Sequence, residues 1–337
     1  MFSKIIVHKV GNKINQENLF LAEEELELGE EMQEILENYF LSAFKTEEQF
    51  QFHSDSLLVH NPVYSAVSEI FETKDNFLFE SKNIAQHLFD CANNPRIMGG
   101  ELFIVYFEGE ETEEGDKIDA IGIFKTERKN PFLKIQPQNQ SFNLEQDFGI
   151  SLSKLDKGCI IYNHSKETGY AVSIVDNNKK GDEYWFDEFL KVTQRNDDYF
   201  NTQETLSVYK DFVVNQLPEE FEVSRADQAD FLNKSINFFK ERDEFNYDDF
   251  TQEVLEDEHI IESFSNYKSD FESDCQISIA EDFPINNSAV KKNQRYFKSV
   301  IKLDKNFHIY VHGDRQMIEQ GQNEKGKYYR LYFEQEK

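Results

Sequence analysis

The chain has 337 residues, 39% hydrophobic and 30% charged, and its 32 Phe and 15 Tyr supply large aromatic cores that a disordered chain lacks. A formal net charge of -29 at pH 7 excludes a surface basic throughout, such as a general duplex binder uses to neutralise phosphates. Three cysteines far apart in sequence (Cys91, Cys159 and Cys275) argue against a disulfide framework, and no window approaches the ~20 continuous apolar residues of a membrane helix.

Residues 2–10 alternate apolar and β-branched side chains and predict a strand. The start, Met1-Phe2-Ser3-Lys4-Ile5-Ile6-Val7-His8, lacks the apolar run and cleavage site of a signal peptide. A soluble, cytoplasmic protein is expected. Residues 17–41 read as one acidic helix, with Leu26, Met32, Ile35, Leu36, Tyr39 and Phe40 on an apolar side and glutamates elsewhere. Asn61-Pro62 opens a further helix, and residues 81–93 form another that ends at Asn93-Asn94-Pro95.

The period then changes. Leu102–Phe107 and Ile118–Phe124 flank an acidic, glycine-containing stretch, Glu108 to Asp116, as an antiparallel hairpin would. Strands follow near 132–136, 141–148, 158–163 and 169–175, and Trp185 to Val192 predicts a short closing helix. From Arg195 the pattern turns helical. A helix over 202–216 is stopped by Pro218. Ser224 caps the next one, with Asp227 three positions on. Acidic helices cover 247–256 and 259–273. Residues 298–303, 307–311 and 328–333 predict a three-stranded end. The fold class is α+β: an N-terminal mixed part with a largely antiparallel sheet over 1–193, then a mainly helical part over 194–337 that ends in a small β element.

Motifs for chemistry are missing. There is no G-x-x-x-x-G-K-[ST] phosphate loop, no G-x-G-x-x-G, no C-x-x-C, no H-E-x-x-H and no G-x-S-x-G. His308 and His312 share a face on a strand, but at the usual rise they stand about 13 Å apart, too far for one ion. Nuclease chemistry needs clustered carboxylates. Asp119 and Lys125 lie on one strand, but Ile123 occupies the position where a metal-binding carboxylate is needed. No catalytic residue, metal or cofactor is assigned.

Basic clusters are scarce in so acidic a chain. One comprises Lys125, Arg128, Lys129 and Lys134. The other comprises Lys291, Lys292, Arg295, Lys298 and Lys302, interleaved with Tyr296 and Phe297. Both can contact phosphates, and the aromatics can stack on unpaired bases. The same lysines can instead balance the surrounding acid. Glu23, Glu24, Glu27, Glu30 and Glu31 are candidates for engaging a basic partner, with a solvated face as the plainer alternative.

Three stretches carry a family resemblance: Gly99-Gly100-Glu101-Leu102-Phe103-Ile104-Val105 with Ile118 to Lys125 and Asn130-Pro131-Phe132-Leu133; Ser153 to Asn163 with Tyr184 to Leu190; and Lys302 to Phe307 with Lys327 to Phe333. Across nearly the whole chain they resemble the bacterial nucleoid-associated protein family of the NdpA type, most closely its Bacteroidetes-like branch. The resemblance implies residence on the nucleoid and an architectural or regulatory role near DNA, without a catalytic signature. The expected function is therefore non-enzymatic and DNA-linked, through a local basic patch or a DNA-bound partner. The alternatives are an acidic, DNA-mimic-like protein that binds basic DNA-handling proteins and, more remotely, a metal-dependent nuclease. A homodimer is open.

Overall fold

The computed structural model describes residues 2–111, 117–178, 184–297, 300–303, 305, 307–311, 317–333 and 335. The chain divides into two compact units, Met1–Arg195 and Asn196–Lys337. In the first, β1 (Phe2–Val10) pairs with β2 (Leu19–Phe20) on one side and β4 (Gly100–Glu111) on the other. The sheet continues through β5 (Lys117–Thr126), β8 (Lys157–Tyr162), β9 (Ala171–Asp176), β3 (Phe50–Phe52) and β10 (Val192–Gln194). Every pairing is antiparallel. The central strands are apolar on both faces because both faces are covered.

On one face, α2 (Pro62–Glu72) and α3 (Phe77–Cys91) bury Val63, Val67, Ile70, Ile84 and Leu88 against Ile104, Ile121, Ile123 and Ile161. Asn61 starts α2 as expected. Its Oδ1 accepts from Val63 N and Tyr64 N, while its Nδ2 donates 2.7 Å to Leu190 O, tying the helix start to the turn Trp185–Leu190. On the opposite face, α1 (Glu30–Leu41) brings Tyr39 and Phe40 onto Phe103 and Phe124. Phe40 stacks on Phe124 at 4.2 Å. Two glycines of the resemblance motifs are packing residues. A Cβ on Gly100 would meet Thr126 O at 1.7 Å, and one on Gly158 would meet the Phe124 ring at 2.9 Å.

The helix expected over 17–41 starts only at Glu30. Residues 21–28 are irregular instead, because their backbone seals the sheet edge: Ala22 N donates to His8 Nδ1 and Leu26 N to Ile5 O. Leu21 and Ala22 pack into the core on one face and Leu28 into that on the other, so the segment wraps around the edge beside β1. Edge sealing outweighs the helical propensity of the glutamates.

The strands expected near 132–136 and 141–148 exist as β6 (Lys129–Gln138) and β7 (Ser141–Ile150), but they leave the main sheet and form a ribbon of their own. The first expected strand also runs further than its apolar core, through Glu108 to Glu111, while the tip residues 112–116 lie outside the described residues.

The second unit is mainly helical. α4 (Asp198–Asp211) runs through a wide turn at Phe212–Gln216, where Leu217 N donates to Phe212 O, into α5 (Leu217–Glu220). Pro218 therefore does not stop the helix; it lies in the last turn, beyond the wide turn. α6 (Arg225–Glu241) begins with the Ser224–Asp227 capping box, and α7 (Tyr247–Val254) and α8 (Glu258–Cys275) are the acidic helices. Their core is aromatic: Phe245, held on the short pair β11 (Glu244–Asn246) and β12 (Asp282–Pro284), stacks between Phe239 at 5.2 Å and Phe283 at 4.6 Å. α9 (Asn287–Gln294) packs on α4 and α6. The end is two separate hairpins, β13 (Val300–Leu303) with β14 (Phe307–Tyr310) and β15 (Ile318–Asn323) with β16 (Gly326–Leu331), not one three-stranded element. β15, Ile-Glu-Gln-Gly-Gln-Asn, has one apolar residue and thus no strand period in its sequence.

Candidate nucleic-acid interface

The first basic cluster does not assemble into one surface. Lys125 is the penultimate residue of β5, with its side chain 2% exposed. Its ammonium donates to Met98 O at 2.6 Å, Tyr184 OH at 3.0 Å and Glu127 Oε1 at 3.1 Å, so no donor is left for a phosphate. Arg128 is half exposed, but it binds Asn178 Oδ1 and approaches Asp156. Lys129 pairs with Glu101, and Lys134, out on β6, pairs with Asp147.

Around Lys125 lies a buried charge network that motif reasoning missed. Lys157 stands directly across from Lys125 on β8 and is also 2% exposed. It pairs with Asp176, its cross-strand neighbour on β9, at 2.6 Å. The ring of Tyr184 lies 5.4 Å from one ammonium and 5.2 Å from the other, and its hydroxyl donates to Glu127. Asn178 donates to Glu127 Oε2, and Asp156 accepts from the backbone of Glu127 and Arg128. Burial draws the Lys125 ammonium below its ordinary value, with Glu127 opposing, and burial beside Glu127 holds the Tyr184 phenol far above its own. The network locks the ends of β5, β8 and β9 to the turn at Trp185. The signal for it lay in the Asp-Lys-Gly start of β8 and the tyrosine before Trp185, legible only once the strands are aligned.

The second cluster keeps cations at the surface. Arg295 follows α9, and its guanidinium lies 4.6 Å from the Tyr296 ring. Lys210, from α4, places its ammonium 5.3 Å from the same ring. Tyr296 is 50% exposed. Lys291 lies one turn before Arg295 and is exposed. Lys292 points inward, donating to Tyr199 OH at 2.9 Å and Gln203 Oε1 at 3.1 Å, and so ties α9 to α4. Phe297 is buried in the core of the unit. Lys302 is exposed on β13, and Lys298 lies outside the described residues, as does His312. Lys210, far away in sequence, was not among the expected residues.

Of the acidic candidates, Glu23 pairs with Lys82 at 2.5 Å. Glu24 and Glu27 are exposed on the irregular edge segment, and Glu30 and Glu31 are exposed in the first turn of α1, where a helix favours negative charge. They do not share a helical face. Asp119 is held by Tyr106 OH at 2.5 Å and Gly109 N at 3.0 Å. Lys125 lies six residues along the same strand, about 20 Å away. Among the described residues no group of three or more His, Cys, Asp or Glu side chains could hold a metal ion, and no helix is long and apolar enough to cross a membrane.

Comparison with known proteins places the chain in a family. The family described as nucleoid-associated protein YejK matches residues 6–326, and the chain belongs to it. The expected kinship with nucleoid-associated proteins thus holds over nearly the whole chain. No curated protein matches it.

Proposed function

We propose that the chain acts at the nucleoid, within the cytoplasm, as a non-enzymatic protein that meets DNA through the cationic patch of its second unit. The observation that carries this reading is the convergence of Lys210 and Arg295 on the half-exposed Tyr296 ring, with Lys291 one helical turn away. The cations held on the ring meet phosphates, and the exposed part of the ring adds an aromatic contact to an unpaired base. The patch is small, which suits a chain of net charge -29: long-range repulsion opposes wide duplex contact, while a few close phosphate contacts overcome it locally. The first cluster is assigned no part, since Lys125 is buried, Lys129 and Lys134 are paired with carboxylates, and Arg128 is held by the Asn178 amide beside Asp156.

Retention on immobilised single-stranded DNA tests it. The wild type should be held at low salt and Lys291→Glu/Arg295→Glu should pass through; equal retention would remove the patch from the account. The acidic groove between α6 and the start of α8, lined by Glu222, Asp227, Asp230, Glu256 and Asp257 around Lys234, favours a second reading. There, and through Glu24, Glu27, Glu30 and Glu31, the chain would bind a basic DNA-handling protein and reach the nucleoid indirectly. Capture of such a partner that survives nuclease treatment would support this reading over direct contact.

A further inference from the structure

We infer that the ribbon β6–β7 is a self-association arm, and that two copies of this chain pack its apolar faces together. The ribbon pairs Pro131 with Phe148, Leu133 with Gln146, Ile135 with Leu144 and Pro137 with Phe142. Cross-strand partners share a face, and so do alternate residues along each strand. Beyond its base, where Lys129 lies opposite Ile150, one face is therefore apolar except for Gln146. The other carries the Lys134–Asp147 ion pair, with Glu145, Gln136 and Asn143 beside it and Phe132 as its one large apolar side chain. None of the described residues covers the apolar face: Leu133 is 63% exposed, Ile135 60%, Phe142 64%, Leu144 60% and Phe148 58%. An isolated two-stranded hairpin is marginal in water, and an exposed apolar face of this kind marks an interaction site.

Two arguments select a second copy as the occupant. The first is charge. Residues 129–150 contain two cations, Lys129 and Lys134, and two anions, Glu145 and Asp147, so the arm is neutral in a chain of net charge -29. It is thus where two copies meet with least repulsion. The same neutrality, with both lysines paired to carboxylates, disfavours a nucleic-acid groove as the occupant. The second is area. With large apolar side chains of roughly 180 Å² each about three-fifths exposed, and the two prolines and Gln146 added, each face offers on the order of 700 Å², near the ~800 Å² per partner of a standard interface. A face with Ile135 and Leu144 at its centre is self-complementary under two-fold rotation, as an isologous dimer requires.

The test is the mass of the full chain by light scattering over a concentration series. The wild type should be a dimer, and Ile135→Lys/Leu144→Glu should halve the mass. That double substitution makes the face polar while placing opposite charges on cross-strand partners, so the ribbon keeps its pairing. Cysteine cross-linking provides an independent reading in a Cys275→Ser background: Leu144→Cys, on the apolar face, should form a covalent dimer on mild oxidation, and Asn143→Cys, on the polar face, should not. A wild type that stays monomeric at its solubility limit, a dimer that the double variant leaves intact, or equal cross-linking at both positions would overturn the inference.

Discussion

Lys125 and Lys157 stand directly opposite each other on adjacent strands, both buried, with the ring of Tyr184 against both ammonium groups. Like charges across a strand pair repel, so the arrangement depends on Glu127 and Asp176. Glu127→Gln keeps the shape and removes one counter-charge. It should lower stability by about 3–5 kcal/mol, as breaking a buried pair does. Tyr184→Phe should cost less, about 1–3 kcal/mol, for the lost hydroxyl bridge. Urea unfolding followed by circular dichroism measures both; an unchanged midpoint for Glu127→Gln would contradict the buried network.

His8 predicts an acid-side loss of stability. Its Nδ1 accepts from Ala22 N, so the proton sits on Nε2 and is donated to Ser81 Oγ, which donates in turn to Leu78 O. Burial, helped by Lys82, lowers its pKa to about 4. The unfolded chain, with an ordinary histidine, binds the proton first as pH falls. The stabilisation is complete above about 6.5 and is lost between there and about 4, roughly 3 kcal/mol in all. His8→Gln preserves one donor and one acceptor without titrating. The difference between wild-type and His8→Gln stability should therefore shrink across that window in urea melts at stepped pH, and a constant difference would refute the assignment.

Gln228 compensates for Pro218. The proline has no N–H to offer the preceding turn, and Gln228 Nε2 donates instead to Val213 O at 2.7 Å and Val214 O at 3.3 Å. Gln228→Leu should leave those carbonyls unsatisfied and cost about 1–3 kcal/mol, measured by thermal unfolding. Equal melting of the two proteins would mean that water serves the carbonyls instead.

These particulars show where the sequence was legible. The strand β1, the hairpin β4–β5, the Asn61 and Ser224 caps and the helices α6, α7 and α8 follow from local period and capping chemistry, whereas α9 was not expected. The failures share a physical cause. Residues 21–28 give up their helix to seal a sheet edge, and Pro218 is rescued by a side chain ten residues on in a different helix; both depend on tertiary partners. Of the cationic candidates, runs of lysine in sequence gave no sign of which would be buried. Lys125 and Lys292 point inward, while Lys210 joins Arg295 only because α4 packs on α9.

The most direct measurement is fluorescence anisotropy of labelled single-stranded DNA titrated with the wild type and with Lys291→Glu/Arg295→Glu across a salt series. Three contacts, from Lys210, Lys291 and Arg295, predict that log K falls against log salt with a slope of about -2. The variant should bind at least tenfold more weakly with a shallower slope, while Arg128→Glu/Lys129→Glu should bind as the wild type does. No binding by the wild type even at low salt, or a slope that Lys291→Glu/Arg295→Glu leaves unchanged, would contradict direct contact through this patch.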